Sequence, residues 1–341
     1  MIGARTQMQT IRPYNPDTIF DISFVEYEIR DGYCQIQFRF TLLPEHTSFT
    51  VDWGDGTVEQ VSGYEAWHNY RSVGTFRVRL GPQLKWWRLW ECYTVTADGR
   101  PLVSRPRIRP ICWSDTLESC SGTYCGWSQS DHGGVVGHVI PWGRSITSTF
   151  CCYQFCSDIT GPFPAWTDSI IDATGTFDRC RGLSGRIPRW GRNITKVAQC
   201  YCDCTGAVGC FPPWPARCTQ FSSCYEGATG LHGTIPPWPS CGEELDSVFK
   251  GCIGAVGDIP PWPASMTWVN SCYKDCPNLT GAWTDDPAEL MPEERVRASP
   301  DSNYYRCYDV VTGCSDSLRA LFWDENWGGT IPRPTPLPKW P

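Results

Sequence analysis

The sequence predicts a mainly β protein in which a β-sandwich is followed by a solenoid of 24-residue coils, and three observations predict it. Tryptophans recur at one fixed interval through the middle of the chain. Glycine and aromatic columns keep the same register as the tryptophans. The segment before them alternates apolar and polar side chains between Gly and Asp turns, the pattern of half-buried strands.

The interval is read from Trp142, Trp166, Trp190, Trp214, Trp238 and Trp262, each 24 residues from the next. Gly137, Gly161, Gly185, Gly209, Gly233, Gly257 and Gly281 repeat in the same register, and so do the aromatics Tyr153, Phe177, Tyr201, Tyr225, Phe249 and Tyr273. Three residues after each aromatic stand Cys156, Cys180, Cys204, Ala228, Cys252 and Cys276. Columns of like residues at constant period mark units that cannot bury their apolar face alone and must stack on copies of themselves. Within a unit, Gly233 to Trp238 reads as a short strand stopped by proline, which cannot donate to a ladder. The glycine supplies a turn or a close approach between coils. The aromatic and Cys columns are expected on a single helical or 3₁₀ turn at the opposite side.

The run aromatic-x-x-Cys-x-x-Leu-x-Gly-x-Ile-Pro, complete in Phe177 to Pro188 and partial in Phe249 to Pro260, resembles the BspA-like leucine-rich repeats of bacterial surface proteins. That resemblance implies a leucine-rich-repeat-type solenoid without an enzyme site, of the kind used by adhesins. The chain departs from the pattern in the Trp after the Pro, and in Ala207, Val208, Ala255 and Val256, where Leu is usual.

Upstream, Gln35 to Thr41 and Thr75 to Leu80 read as strands of the sandwich. Between them Val51-Asp-Trp-Gly-Asp-Gly-Thr57, with His68-Asn-Tyr70 and Gly74 to Val78, resembles the PKD-like domain. The resemblance implies an immunoglobulin-like sandwich with a tight turn at the WGDGT segment, His68 and Tyr70 packing beneath it. Asp52 and Asp55 are candidates for calcium, or for capping the amides of their own turn.

The organisation that follows is an N-terminal arm (1–19), the sandwich (20–82), a β connector (83–110), and the solenoid with its N-terminal cap (111–283). An insertion and degenerate cap (284–328) and a Pro-rich tail (329–341) complete it. The acidic insertion from Asp285 to Glu294 and the polyproline-like tail are expected to make assembly contacts.

Composition narrows the function. A net charge of −7 offers no basic face for nucleic acid, and no stretch approaches the length of a membrane helix. The N-terminal residues lack the apolar region of a signal peptide. No metalloprotease, phosphate-loop, dinucleotide or nucleophile-elbow signature is present, so no catalytic residue and no cofactor is expected. Of the 21 cysteines, Cys200, Cys202 and Cys204 lack the separated pairs of common zinc sites, and no metal is expected. The paired spacing of Cys152 with Cys156 fails where Thr176 or Val248 replaces one member, which favours a buried ladder of reduced thiols. Cys218 and Cys241, on adjacent coils, are the first candidates for a disulfide.

The expected role is a non-catalytic binding or adhesion protein, extracellular or surface-exposed, that recognises glycan or protein through its solenoid. The alternative is a structural or decoration component of a virion or similar assembly. Trp190, Trp214, Trp238 and Trp262 are the candidate ligand platform, weighed against a place in the core.

Overall fold

The computed structural model describes residues 14–24, 33–95, 101–102, 106–125, 134–260, 263, 265 and 268–280. The acidic insertion and the Pro-rich tail lie outside these residues. The protein is mainly β, and no helix occurs among the described residues.

Nine strands build the first part: β1 (Thr18–Phe24), β2 (Tyr33–Leu42), β3 (Ser48–Asp52), β4 (Val58–Ser62), β5 (Glu65–Tyr70), β6 (Gly74–Leu80), β7 (Leu84–Val95), β8 (Pro101–Leu102) and β9 (Arg107–Cys112). They form two antiparallel sheets, ordered β4-β3-β6-β1-β9 and β5-β2-β7-β8. Strand β2 explains its own placement: Cys34, Ile36, Phe38 and Phe40 are buried, while Gln35, Gln37 and Arg39 point the other way. The connector expected over 83–110 is part of these sheets, since β7 pairs with β2 from Tyr33 to Leu42 and β9 pairs with β1. Bulges interrupt the β2–β7 register at Gln37/Phe38 and Thr41/Leu42, which hides its alternation from a sequence reading.

The WGDGT turn is tied to its own backbone and to β5. Asp52 Oδ1 accepts from the Gly54 amide at 2.9 Å and Asp55 Oδ1 from the Thr57 amide at 3.0 Å. His68 Nε2 lies 2.8 Å from Asp55 Oδ2, its ring stacks on Trp53 at 4.8 Å, and the Tyr70 hydroxyl donates to the Trp53 carbonyl. Burial alone would raise the Asp55 carboxyl, but hydrogen bonds from His68 and Thr57 outweigh it and hold the group below the ordinary range. These contacts engage the acids as turn caps.

In the second part successive units of the repeat, called coils below, pair with one another. Its short strands β10 (Gly137–His138), β11 (Ile159–Thr160), β12 (Gly185–Arg186), β13 (Ala207–Cys210), β14 (Leu231–Thr234), β15 (Glu244–Asp246), β16 (Gly254–Asp258), β17 (Trp268–Asn270) and β18 (Leu279–Thr280) pair in parallel. One ladder runs β10-β11, then through the Gly161–Leu183 bridge to β12-β13-β14-β16-β18. A second passes through single-residue bridges at Ser119, Ser148, Asp172, Lys196, Gln220 and Glu244. Both ladders begin in the antiparallel sheets: Trp86 of β7 bridges Ser119, and Ile108 of β9 bridges Val135. The first part therefore covers the open end of the stack with hydrogen-bonded strands.

Where a helical turn was expected, the chain makes a third line of contacts instead. Cys151, Tyr153 and Phe155 donate their amides to the carbonyls of Thr174, Thr176 and Asp178 in the next coil. Cys152, Gln154 and Cys156 donate three residues back within their own coil. The pattern repeats at Gly175, Phe177 and Arg179 and onward, so alternate residues bind neighbour and self. This geometry needs left-handed backbone at Cys151, Gly175, Gln199, Ser223, Ser247 and Ser271, and again at Phe155, Arg179, Asp203, Gly227, Gly251 and Asp275. A helix would leave these amides facing their own coil only.

The interior is a line of rings. Tyr124, Tyr153, Phe177, Tyr201, Tyr225, Phe249 and Tyr273 follow one another at centroid distances of 5.4 to 6.1 Å. The line continues into the first part through Trp87, which meets Tyr124 edge-on and stacks on Phe20.

The thiols of the Cys column have a role beyond filling space. Cys180 donates to the Tyr153 carbonyl at 2.9 Å, and Cys204, Cys252 and Cys276 donate to Phe177, Tyr225 and Phe249 at 3.0, 3.0 and 2.9 Å. Each is a free thiol whose pKa burial pushes up, to about 12 at Cys276. Alkylation of the native protein at pH 8 with peptide mass mapping is expected to modify exposed Cys210 and to spare Cys180, Cys204 and Cys252 until denaturant is added. Equal labelling of all four in the native state sinks this account.

Candidate functional site

The tryptophan column, the candidate ligand platform, is part of the core. Trp190, Trp214 and Trp238 are 9%, 8% and 9% exposed, and Trp262 lies outside the described residues. Indole planes stack on one another, Trp142 on Trp166 at 5.7 Å, Trp166 on Trp190 at 5.6 Å and Trp214 on Trp238 at 5.5 Å. Faces covered by neighbouring indoles are closed to a sugar, and stacking at the coil spacing brings them together.

Two indole N–H groups reach the aromatic of the following coil, while Trp190 Nε1 and the Tyr225 hydroxyl are buried without a hydrogen bond. Trp166 donates to the Tyr201 hydroxyl at 2.9 Å and Trp238 to that of Tyr273 at 3.1 Å. Trp214 meets Phe249 there, and its buried Nε1 has no acceptor. Phe249→Tyr is accordingly expected to raise stability by about 1 kcal/mol, measured as a higher urea midpoint. An unchanged or lower midpoint would count against the pairing rule.

The candidate disulfide is also absent. Cys218 and Cys241 are adjacent, as their spacing suggested, but both are free thiols, and Cys241 Sγ donates to the Cys218 carbonyl at 3.2 Å.

What the structure brings together is a cleft of about 520 Å³ at the junction between the antiparallel sheets and the first coils. Trp86 and Arg88 of β7 form one wall, Ser121, Gly122 and Cys125 the floor, and Phe150, Cys151, Gln154 and Phe155 the other wall. Strand β7 presents Trp86 and Arg88 on one side of its pleat because Trp87 between them is committed to the core. The Trp86 indole is fixed by donating to the Ser121 carbonyl at 2.8 Å, and the Leu89 amide ties the same strand to the Thr123 carbonyl at 2.9 Å. Cys125 Sγ lies 3.3 Å from Gln154 Oε1, and Gln154 Nε2 donates to Asp178 at 2.9 Å. The Arg179 guanidinium stands over the Phe155 ring, 5.0 Å from its centroid. Burial raises the Cys125 thiol and takes Cys151 to about 12, so both are neutral at physiological pH.

The repeat supplies an internal control for this wall. At the position of Phe150 the later coils carry Thr174, Ala198, Ser222, Asp246 and Asn270, and at that of Phe155 they carry Arg179, Asp203, Gly227, Gly251 and Asp275. Only the coil bordering the cleft is aromatic at both. Phe150 is 45% exposed although nothing in the coil's own packing calls for a ring there. Phe155 keeps its ring at a backbone φ of 63°, a conformation that disfavours bulky residues. Sequence reading passed over both because it compared columns for what they share; the departures from a polar column were the available signal.

Comparison with known proteins returns no family model, no curated protein and no solved structure that matches this chain.

Proposed function

We propose that this chain is a non-catalytic, surface-displayed binding protein that recognises a glycan in the junction cleft. In this reading the first part is an immunoglobulin-like, PKD-like sandwich and the second a leucine-rich-repeat-type solenoid of 24-residue coils. Its two parallel ladders, one linking positions a full repeat apart such as Asp172 and Lys196 and the other linking Gly185 to Ala207 and Gly209 to Leu231, support the solenoid, and its two antiparallel sheets support the sandwich. The single observation that carries the binding reading is the aromatic wall of Phe150 and Phe155, confined to the coil that borders the cleft. Rings exposed beside hydrogen-bonding groups, here Ser121, Gln154 and Arg88, suit a sugar, whose apolar C–H face stacks while its hydroxyls are bonded at the rim.

Screening the protein on a glycan array, with Phe150→Ala and Trp238→Ala beside the native chain, tests the reading. Binding that Phe150→Ala abolishes without loss of stability supports it. Binding unaffected by Phe150→Ala, or none by the native protein, overturns it. The second reading, a structural component of a virion or other assembly, draws on the bridges from Trp86 to Ser119 and from Ile108 to Val135, by which the pairing of the sheets continues into the coils. It predicts the chain as a stoichiometric component of purified particles.

A further inference from the structure

We propose that the glycan held in the junction cleft is a linear oligosaccharide whose chain leaves the cleft across the outer face of the β5-β2-β7 sheet and reaches Trp67, a second stacking ring at the sheet edge. The proposal rests on the reading of the cleft as a glycan site and adds the size of the ligand and a further subsite. Trp67 lies on β5, the edge strand of its sheet among the described residues, and is 59% exposed. The core does not call for it: Ala66 and Tyr70 are the buried residues of β5, and Trp67 stands on the other side of the pleat. A single exposed ring is ordinary. The register that joins this one to the cleft gives it meaning.

In the β2–β5 register Trp67 faces Gln37, Asn69 faces Gln35 and Glu65 faces Arg39, and in the β2–β7 register Arg39 faces Arg88 and Thr41 faces Trp86. Cross-strand partners share one face of a sheet, so Trp67 stands on the same face as the cleft residues Trp86 and Arg88. On the strand spacings Trp67 is about 12 Å from Arg88, farther than one sugar ring reaches. Between them lies a lattice of fixed polar side chains: Gln35 Nε2 donates to Asn69 Oδ1 at 2.9 Å, Gln37 Nε2 donates to Glu65 Oε2 at 3.2 Å, and Glu65 stands 3.9 Å from Arg39. A carboxamide has two N–H donors and two acceptor lone pairs, so one contact apiece leaves Gln37 and Asn69 capacity for hydroxyls. With Arg39 beside Glu65, the middle of the track offers hydrogen bonds rather than net charge. The outward side chains between Trp67 and the cleft, Glu65, Gln37, Arg39 and Thr41, are all polar, where the centre of a protein interface would be apolar. Rings at both ends with carboxamides between them suit a chain of sugars, stacked by C–H faces at either end and bonded through hydroxyls along the way.

Calorimetric titration of the full chain with the disaccharides and hexasaccharides of the malto, cello and chito series tests this, with Trp67→Ala, Trp67→Phe and Phe150→Ala beside the native protein. In at least one series the hexasaccharide is expected to bind about tenfold or more tightly than the disaccharide. Trp67→Ala is expected to erase that gain without moving the urea midpoint, and Trp67→Phe, which keeps a ring, to retain most of it. A hexasaccharide no tighter than the disaccharide, or a gain that survives Trp67→Ala, overturns the Trp67 subsite and leaves the cleft reading standing as long as Phe150→Ala abolishes binding. A midpoint lowered in both Trp67 variants makes the ring structural and overturns the subsite as well. Loss with Trp67→Ala and none with Phe150→Ala confines the site to the sheet face and overturns the cleft reading together with the track. Binding of no probe by the native protein overturns both.

Discussion

Gly206→Ala is expected to lower the stability of the protein by about 3 kcal/mol or more, the largest effect of a single methyl group anywhere in the described chain. A Cβ at Gly206 would lie 2.1 Å from the Leu183 carbonyl oxygen of the preceding coil. The obstacle is backbone in a parallel ladder, so no side chain can swing away. The coils would have to separate locally and give up pairing between β12 and β13. Gly230 and Gly254 stand against Ala207 and Leu231 carbonyls at 2.3 Å in the same way. Urea denaturation measures the loss, and Gly185→Ala is the informative companion. There a Cβ meets nothing within 4 Å, and the cost comes from φ +99° alone, about 1 kcal/mol. Equal losses at the two positions would refute the distinction between contact and conformation.

The second large effect is expected at Trp238, where alanine should cost about 4 kcal/mol. The ring stacks on Trp214, meets Phe221 and Phe249 edge-on at 5.4 and 5.7 Å, and donates to the Tyr273 hydroxyl. Its removal opens a cavity between coils and takes the hydrogen bond from a buried hydroxyl, two penalties that add. Phe150→Ala, by contrast, is expected to change stability by less than about 1 kcal/mol, because its ring is half exposed. The paired measurement separates the two kinds of aromatic: Trp238 by the denaturation midpoint, Phe150 by glycan binding. A stable Trp238→Ala protein that had lost binding would return the tryptophan column to the role of ligand platform.

These predictions also mark how far the residues could be read without coordinates. The columns Gly161, Gly185, Gly209, Gly233 and Gly257 were legible and have φ between +85° and +99°. The other two left-handed positions of each coil were not, because Gly fills only some of them and Ser, Asp, Gln, Arg, Phe and Cys the rest. Their cost of about 1 kcal/mol each is tolerable when hydrogen bonds between coils over-determine the turn, so composition carries no trace of it. Gly182, Gly206, Gly230 and Gly254 form a column in the sequence, yet its meaning, a carbonyl at contact distance, belongs to the neighbouring coil. Ala207 and Val208 stood as two departures from one pattern and separate into a buried core residue and a 46% exposed one.

By itself the sequence determined the period, and with it the columns of the core, because units of one length that stack on one another bring like side chains together there; the strand ladder departs from it, Gly185 pairing with Ala207 and not with Gly209. It also determined that the tryptophans, aromatics and cysteines act as columns. Tertiary structure alone decided what each column faces: indole on indole, thiol to carbonyl, and a third set of inter-coil hydrogen bonds in place of a helical turn. The cleft is the clearest case. It lies where the interval breaks, between Trp86 and Ser119 and between Ser119 and Ser148. Periodicity says nothing about neighbours brought together by strands of unequal spacing, so only the packed chain places Arg88 beside Phe150.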